Sequence, residues 1–262
     1  MASVAPRGGA TADRPRTARA RSRSRSLRSW IPPQHGVWAM LLLPYLAGLR
    51  YGLDWLQVPL LLGWLTGWLM SHHALLWVKT GRWARVKHQV LTYGAISAAC
   101  LLPVLALRPT LIWFAPAFAV FIAVNAAYSK WGNERSMLNG LASVTMASMM
   151  AMIVPVTAHE PWTEGITVAA VTWLYLAGTV FHVKAMIREY GSSRQRTIST
   201  GYHVAALAAA TLMSAWLAIP FALMLVRTIV LPRRERMKAP VIGMVEVVLT
   251  LLLLGFLLTL PL

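Results

Sequence analysis

Apolar residues run in long blocks along this chain, and short polar segments separate the blocks. A helix needs about 20 mostly apolar residues to cross the hydrocarbon core of a bilayer. From residue 36 onward the pattern predicts an all-α, polytopic transmembrane helix bundle of nine spans. The predicted spans are residues 36–52, 56–78, 88–107, 110–128, 136–157, 166–187, 199–215, 216–231 and 241–260.

The count of nine depends on residues 199–231. As a single helix rising about 1.5 Å per residue, this block would measure roughly 50 Å. A hydrocarbon core is roughly 30 Å thick, so one span would overshoot it. Two shorter spans that turn near Trp216–Pro220 fit the membrane better.

The distribution of basic residues supports the same count. The chain has 25 Lys and Arg against 8 Asp and Glu, a formal net charge of +17. With nine spans and a cytoplasmic amino terminus, only Arg50 and Arg108 fall outside and the other 23 basic residues fall inside. A single span over 199–231 would change that split to 18 and 7. The positive-inside rule therefore favours nine spans with the carboxyl terminus outside, and the charge gives no reason to expect a nucleic-acid partner.

The first 30 residues differ in composition from the rest of the chain. They are rich in Arg, Ser and Ala and lack the apolar segment of a secretory signal. We expect residues 1–30 to be a disordered, basic cytoplasmic tail and residues 31–262 to be the transmembrane domain. A contact with anionic lipid and an organelle transit peptide remain alternatives for the tail.

Polar and ionisable side chains are costly at membrane depth, so they mark functional sites or structural pairs. In the predicted topology they gather in the cytoplasmic half, which suggests a cavity open to the cytoplasm. The candidates for proton transfer are His35, Glu134 and His182. The candidates for ligand binding are Asn125, Tyr128, Arg135, Asn139, Lys184 and Arg188.

Structural roles compete with these functional ones. Glu134 could cap a helix start, and Lys184 and Arg188 could extend toward lipid head groups. However, Lys184 and Arg188 are four residues apart on one helix face, where they repel each other unless an anion lies between them.

A structural ion pair is predicted near the carboxyl terminus. Arg227 lies five residues before Pro232, and Glu246 lies six residues after Pro240. In an antiparallel helix hairpin the two side chains reach a similar depth. No metal site is predicted, and the single cysteine, Cys100, excludes an intramolecular disulfide.

Three stretches resemble the YwiC-like bacterial membrane proteins. They are Pro33-Gln-His-Gly-Val-Trp-Ala-Met40 running on to Pro44, Asn133-Glu-Arg-Ser136 with Asn139, and Ile187-Arg-Glu189. The resemblance extends over about residues 31–260. In one departure, Asn139-Gly140 stands where Asn-Asp is expected, which removes an acid. The resemblance implies a bacterial cell membrane location and no particular activity.

The chain is more distantly similar to the UbiA-type intramembrane prenyltransferases, in its nine spans and in the polar loops after spans two, four and six. Those enzymes hold Mg²⁺ and a prenyl diphosphate with aspartate-rich motifs. The corresponding stretches here are Ser71–Lys79, which has no carboxylate, and Met186–Tyr190, which has one. Because hard cations need several oxygen ligands, a standard Mg²⁺-diphosphate site is not expected and the cofactor stays open.

Three functions remain open from the sequence. The first is binding or modification of an isoprenoid or lipid with an anionic head group. The second is a transporter or carrier that uses the same cavity, and the third is a non-catalytic membrane accessory protein. The sequence leaves open whether the protein is an enzyme.

Overall fold

The computed structural model describes residues 30–32, 35–231 and 239–259. The predicted basic tail, residues 1–30, lies outside the described residues apart from Trp30. From His35 onward the chain forms one compact unit.

Helices make up most of the described part of the chain, which contains no strand. The prediction of an all-α bundle is therefore confirmed. The α-helices are α1 His35–Gly48, α2 Gln57–Thr80, α3 Trp83–Leu107, α4 Ala115–Lys130, α5 Met137–Ser148, α6 Met150–Thr157, α7 Ile166–Val183, α8 Ser193–Met213, α9 Ala218–Val230 and α10 Ala239–Thr259. Short 3₁₀ turns occupy Leu49–Tyr51, Pro109–Phe114, Trp162–Gly165 and Ala215–Leu217.

Several of these helices are long and apolar enough to cross a bilayer. In the described ranges five segments meet that standard: Trp83–Leu107, Pro109–Lys130, Met137–Thr157, Trp162–Arg188 and Val241–Thr259. The apolar segment Ala215–Val230 is shorter. These lengths and compositions are those of a membrane protein. The count of nine spans stays a prediction.

The block 199–231 does not form one continuous helix. Ser214 has an extended backbone, with φ −160° and ψ 130°, and ends α8. A 3₁₀ turn then leads into α9, which packs back against α8. The chain therefore reverses direction close to the predicted turn at Trp216–Pro220.

Helix α7 lies at the centre of the bundle. Its residues Val168, Val171, Tyr175 and Ala177 are fully buried. They belong to an apolar core that includes side chains of α1, α5, α6, α8, α9 and α10. The end of α7 is therefore held by neighbours on several sides.

Two glycines let α2 and α3 approach each other closely. A Cβ atom on Gly63 would lie 2.5 Å from the side chain of Leu101, and one on Gly67 would lie 3.1 Å from Ser97 Oγ. The Ser97 hydroxyl donates to the Gly63 carbonyl at 2.9 Å. Small residues four positions apart are typical of tightly packed membrane helices.

Arg108 directly follows the carboxyl end of α3 and connects the loops there through hydrogen bonds. Its guanidinium donates to the Thr157 carbonyl at 2.9 and 3.2 Å and to His159 Nε2 at 2.6 Å. Asp54 Oδ2 lies 3.6 Å from the same guanidinium. One of the two basic residues predicted outside the membrane thus holds a structural contact.

We expect Gly63→Val to lower the free energy of unfolding by about 1–3 kcal/mol, because the added side chain overpacks the α2–α3 contact. Gly201→Val on α8 is the matched control, because a Cβ atom there meets nothing within 4 Å. Thermal unfolding of the purified protein in detergent compares the two variants. Equal losses of stability would contradict the packing role of Gly63.

Candidate functional site

The loop between α4 and α5 is fixed by its own hydrogen bonds. Gly132 turns the chain after α4 with φ +67°. Ser136 caps α5, since its hydroxyl accepts from the Asn139 backbone N–H at 3.1 Å. The Asn139 side-chain amide donates to the Glu134 carbonyl at 2.8 Å. These contacts set the positions of Glu134 and Arg135.

Helix α7 ends in a π-helical turn, Lys184–Arg188. Such turns are rare, widen the helix locally and occur often at functional sites. The chain then reverses at Gly191, which has φ +87°, and Ser192 caps α8 by accepting from the Gln195 N–H at 3.2 Å. The π turn brings Lys184 and Arg188 to the same cavity.

This cavity has a volume of about 250 Å³ and lies between α1, α5, α7, α10 and the α4–α5 loop. Its charged lining residues are Glu134, Arg135, Lys184, Arg188 and Glu246. Arg135 and Arg188 are exposed, whereas Glu246 is 8% exposed. The cavity is therefore lined by exposed basic side chains, which form its open basic end, and by the buried Glu246.

The remaining wall of the cavity is mostly apolar. Side chains from four helices contribute to it: Val37, Met40, Val144, Leu176, Val180 and Val247. A molecule in this cavity would meet both charged groups and hydrocarbon.

Two salt bridges lie around the open end. Lys79 Nζ is 2.7 Å from Glu134 Oε1, and Lys184 Nζ is 2.9 Å from Glu189 Oε1. The hydrogen bond from Lys79 lowers the pKa of Glu134 below its usual value. Both lysine charges are thus matched by neighbouring carboxylates.

Arg135 and Arg188, the two arginines of the open end, differ from the two lysines in their contacts. Arg188 donates to the backbone carbonyl of Arg135. In the part of the chain that the structure describes, neither guanidinium forms a salt bridge. Two positive charges therefore face the cavity without a carboxylate partner among the described residues.

A buried polar cluster surrounds Glu246. Arg227 of α9 forms an ion pair with Glu246 of α10 through Nη1 and Oε2. Its Nη2 donates to His203 Nε2 at 3.1 Å, and His203 Nδ1 donates to the Ser199 carbonyl at 2.7 Å. The sequence pattern predicts an ion pair between the same two residues, Arg227 and Glu246. The structural role of this pair stays a prediction.

His182 lies behind Glu246 and is fully buried. Its Nε2 is 3.9 Å from Glu246 Oε1, and neither atom has a hydrogen-bond partner among the described residues. His182 does not itself line the cavity.

Three further candidates lie apart from the cavity lining. Asn125 is buried and accepts from Ser143 Oγ at 3.1 Å. Tyr128 packs edge-on against Trp131, with 5.9 Å between ring centroids. Asn139 holds the loop as described above. His35 begins α1, and its side chain lies outside the described residues.

The cavity role of Glu246 is the feature that the sequence did not reveal. The position of Glu246 in an apolar helix indicates a costly buried charge. The sequence does not show that this residue lines a cavity. Within the described ranges, no three His, Cys, Asp or Glu side chains cluster to hold a metal ion.

The fold and the site define a helical membrane protein with a polar-ended cavity between its helices. The YwiC-like protein family matches residues 31–155, so the resemblance seen in the sequence is confirmed. The chain is 28% identical to the uncharacterized protein YwiC of Bacillus subtilis over 183 residues, 68% of this chain and 75% of that protein.

A second relative is an uncharacterized protein of Haemophilus influenzae. It is 28% identical over 223 residues, 84% of this chain and 93% of that protein. No solved structure matches the chain. The similarity to UbiA-type prenyltransferases therefore stays a prediction.

We expect Arg227→Met to lower the free energy of unfolding by about 3–5 kcal/mol, because it leaves the Glu246 carboxylate buried and unpaired. The double variant Arg227→Met, Glu246→Met removes both charges and should be less destabilised than the single variant. Unfolding of the purified variants in detergent measures both. A double variant at least as unstable as the single one would contradict the pairing.

Proposed function

We propose that this protein binds an amphiphile, an isoprenoid or another lipid, whose anionic head group lies against Arg135, Lys184 and Arg188. The observation that carries the proposal is the meeting of these three basic side chains at the open end of one cavity with apolar walls.

Charge supports an anion at this end. The carboxylates of Glu134 and Glu189 match the two nearby lysines, which leaves the guanidinium groups of Arg135 and Arg188 as the excess charge among the described residues. A guanidinium binds phosphate oxygens through two parallel hydrogen bonds. Because two guanidinium groups contribute, a phosphate monoester with up to two negative charges is the best match.

The apolar wall supports a hydrocarbon chain on the same ligand. Val37, Val180 and Val247 come from three different helices and line the cavity beyond its basic end. A free inorganic anion would leave this surface without contacts. An amphiphile would satisfy the charges and bury the apolar wall together.

We place this cavity on the cytoplasmic side of a bacterial inner membrane. The support is the sequence distribution of basic residues, which puts Lys79, Arg135, Lys184 and Arg188 inside. Arg108, predicted outside, lies at the opposite end of α3 from Trp83 and Lys79.

The double variant Lys184→Ala, Arg188→Ala should bind polyprenyl phosphate at least about tenfold more weakly, because it removes charge-assisted hydrogen bonds to the phosphate. The measurement is native mass spectrometry of the full-length protein in detergent, titrated with polyprenyl phosphate and with phosphatidic acid.

Arg194→Ala is the matched control. Arg194 is an exposed arginine in the first turn of α8 and lies outside the cavity lining. It should bind both lipids as the wild type does. Unchanged binding in the double variant, or equal losses in both variants, would contradict a specific site and favour a non-catalytic accessory role.

A further inference from the structure

The walls of the cavity differ in how tightly they are packed. Three glycines line it: Gly36 of α1, Gly140 of α5 and Gly243 of α10. A Cβ atom on Gly140 would lie 3.1 Å from the Val180 side chain, so α5 and α7 are in close contact there. A Cβ atom on Gly36 or on Gly243 would meet nothing within 4 Å among the described residues. The unfilled space along the cavity wall therefore lies beside α1 and α10.

Hydrogen bonds join α10 to its neighbours at other places. The Tyr175 hydroxyl of α7 donates to the Glu246 carbonyl at 3.2 Å and lies 3.0 Å from Thr250 Oγ1. Arg50, which follows the end of α1, donates to the Leu257 carbonyl near the end of α10. Helices α1 and α10 are thus joined at their carboxyl ends, and both reach the cavity near their amino ends. They therefore run side by side in the same direction.

The unfilled space is a gap at the amino ends of α1 and α10. Gly36 directly follows the first residue of α1, and Gly243 lies in the second turn of α10. Val247, one turn after Gly243, lines the cavity although it is 43% exposed. Met244 beside it is 70% exposed. The apolar wall of the cavity therefore continues into the apolar outer surface of the bundle, which faces lipid in the predicted topology.

The size of the cavity indicates what has to pass through this gap. Its volume of about 250 Å³ is smaller than the roughly 300–1,000 Å³ of pockets that enclose drug-sized ligands. A lipid with a long hydrocarbon chain cannot be enclosed in it. The part of the chain beyond the cavity needs a path into other hydrocarbon, because exposing it to water is unfavourable.

We propose that the gap beside Gly36 and Gly243 is a lateral portal through which the hydrocarbon chain of the ligand leaves the cavity and enters the bilayer. This inference rests on the proposed binding of an anionic head group at Arg135 and Arg188. It defines the ligand class as phosphate lipids whose chains are longer than the cavity. The protein then holds the head group while most of the chain stays in the membrane.

Leucine at the portal tests this path in the full-length protein. Gly36→Leu and Gly243→Leu each place a side chain in the gap and should weaken the binding of a long-chain polyprenyl phosphate at least about tenfold. The reason is that a chain without an exit cannot keep its methylene groups in apolar contact. Geranyl phosphate, whose short chain ends within the cavity, should bind nearly as tightly as it binds the wild type. Native mass spectrometry in detergent measures both ligands.

Gly255→Leu is the matched control. Gly255 lies on the same helix, and a Cβ atom there also meets nothing within 4 Å among the described residues, but Gly255 lies outside the cavity lining. This variant should bind both phosphates as the wild type does. Unchanged binding of the polyprenyl phosphate in both portal variants, or an equal loss of both phosphates, would overturn the portal.

Photo-crosslinking of the wild-type protein needs no substitution, so it decides the matter even where a portal variant unfolds. The probe is a polyprenyl phosphate with a diazirine on the isoprene unit that follows a geranyl-length segment. It should label residues of α1 or α10 beside the gap, such as Met244, whereas labelling of α5 instead would overturn the portal. Failure of the proposed function gives a different result, because neither phosphate then binds to the wild-type protein.

Discussion

The ion pair between Arg227 and Glu246 is the interaction on which the packing of the helices around the cavity depends. Removing two charges from water costs several kcal/mol each, and their mutual attraction repays that cost only with good geometry and further hydrogen bonds. Here Arg227 also donates to His203, and Tyr175 of α7 donates to the Glu246 carbonyl at 3.2 Å. The pair therefore joins α9 and α10 and connects both to the central helix.

The charged residues that line the cavity come from separate elements. Glu246 pairs with Arg227 and also lines the cavity, so α10 contributes a buried carboxylate residue to the cavity wall. The π turn of α7 and the fixed α4–α5 loop bring Arg188 and Arg135 together, and Arg188 donates to the Arg135 carbonyl. The cavity is thus lined by exposed basic side chains from this loop and this turn, and by the buried Glu246 of α10.

Several parts of this picture could be predicted from the sequence because they depend on local pattern. The helical blocks follow from apolar length, and the break within residues 199–231 follows from membrane thickness. The four-residue spacing of Lys184 and Arg188 predicted that their side chains share one helix face, and both residues line one cavity. Pro232 and Pro240 flank the predicted loop of a helix hairpin, and their positions were enough to predict that Arg227 and Glu246 lie at a similar depth.

Other parts depend on how distant helices pack, and no local pattern encodes them. Asn139 was a candidate ligand, yet its amide is used to hold the Glu134 carbonyl. His182 was a candidate for proton transfer, yet it lies behind Glu246 and not on the cavity wall. The excess charge at Arg135 becomes visible only when the partners of Lys79 and Lys184 are known.

The most direct test of the central claim is a high-resolution cryo-electron microscopy map of the full-length protein purified with its native lipids. Our account predicts head-group density between Arg135 and Arg188, with a hydrocarbon chain along Val180 and Val247. A map in which ordered lipid surrounds the bundle but the cavity is closed by its own side chains would contradict it.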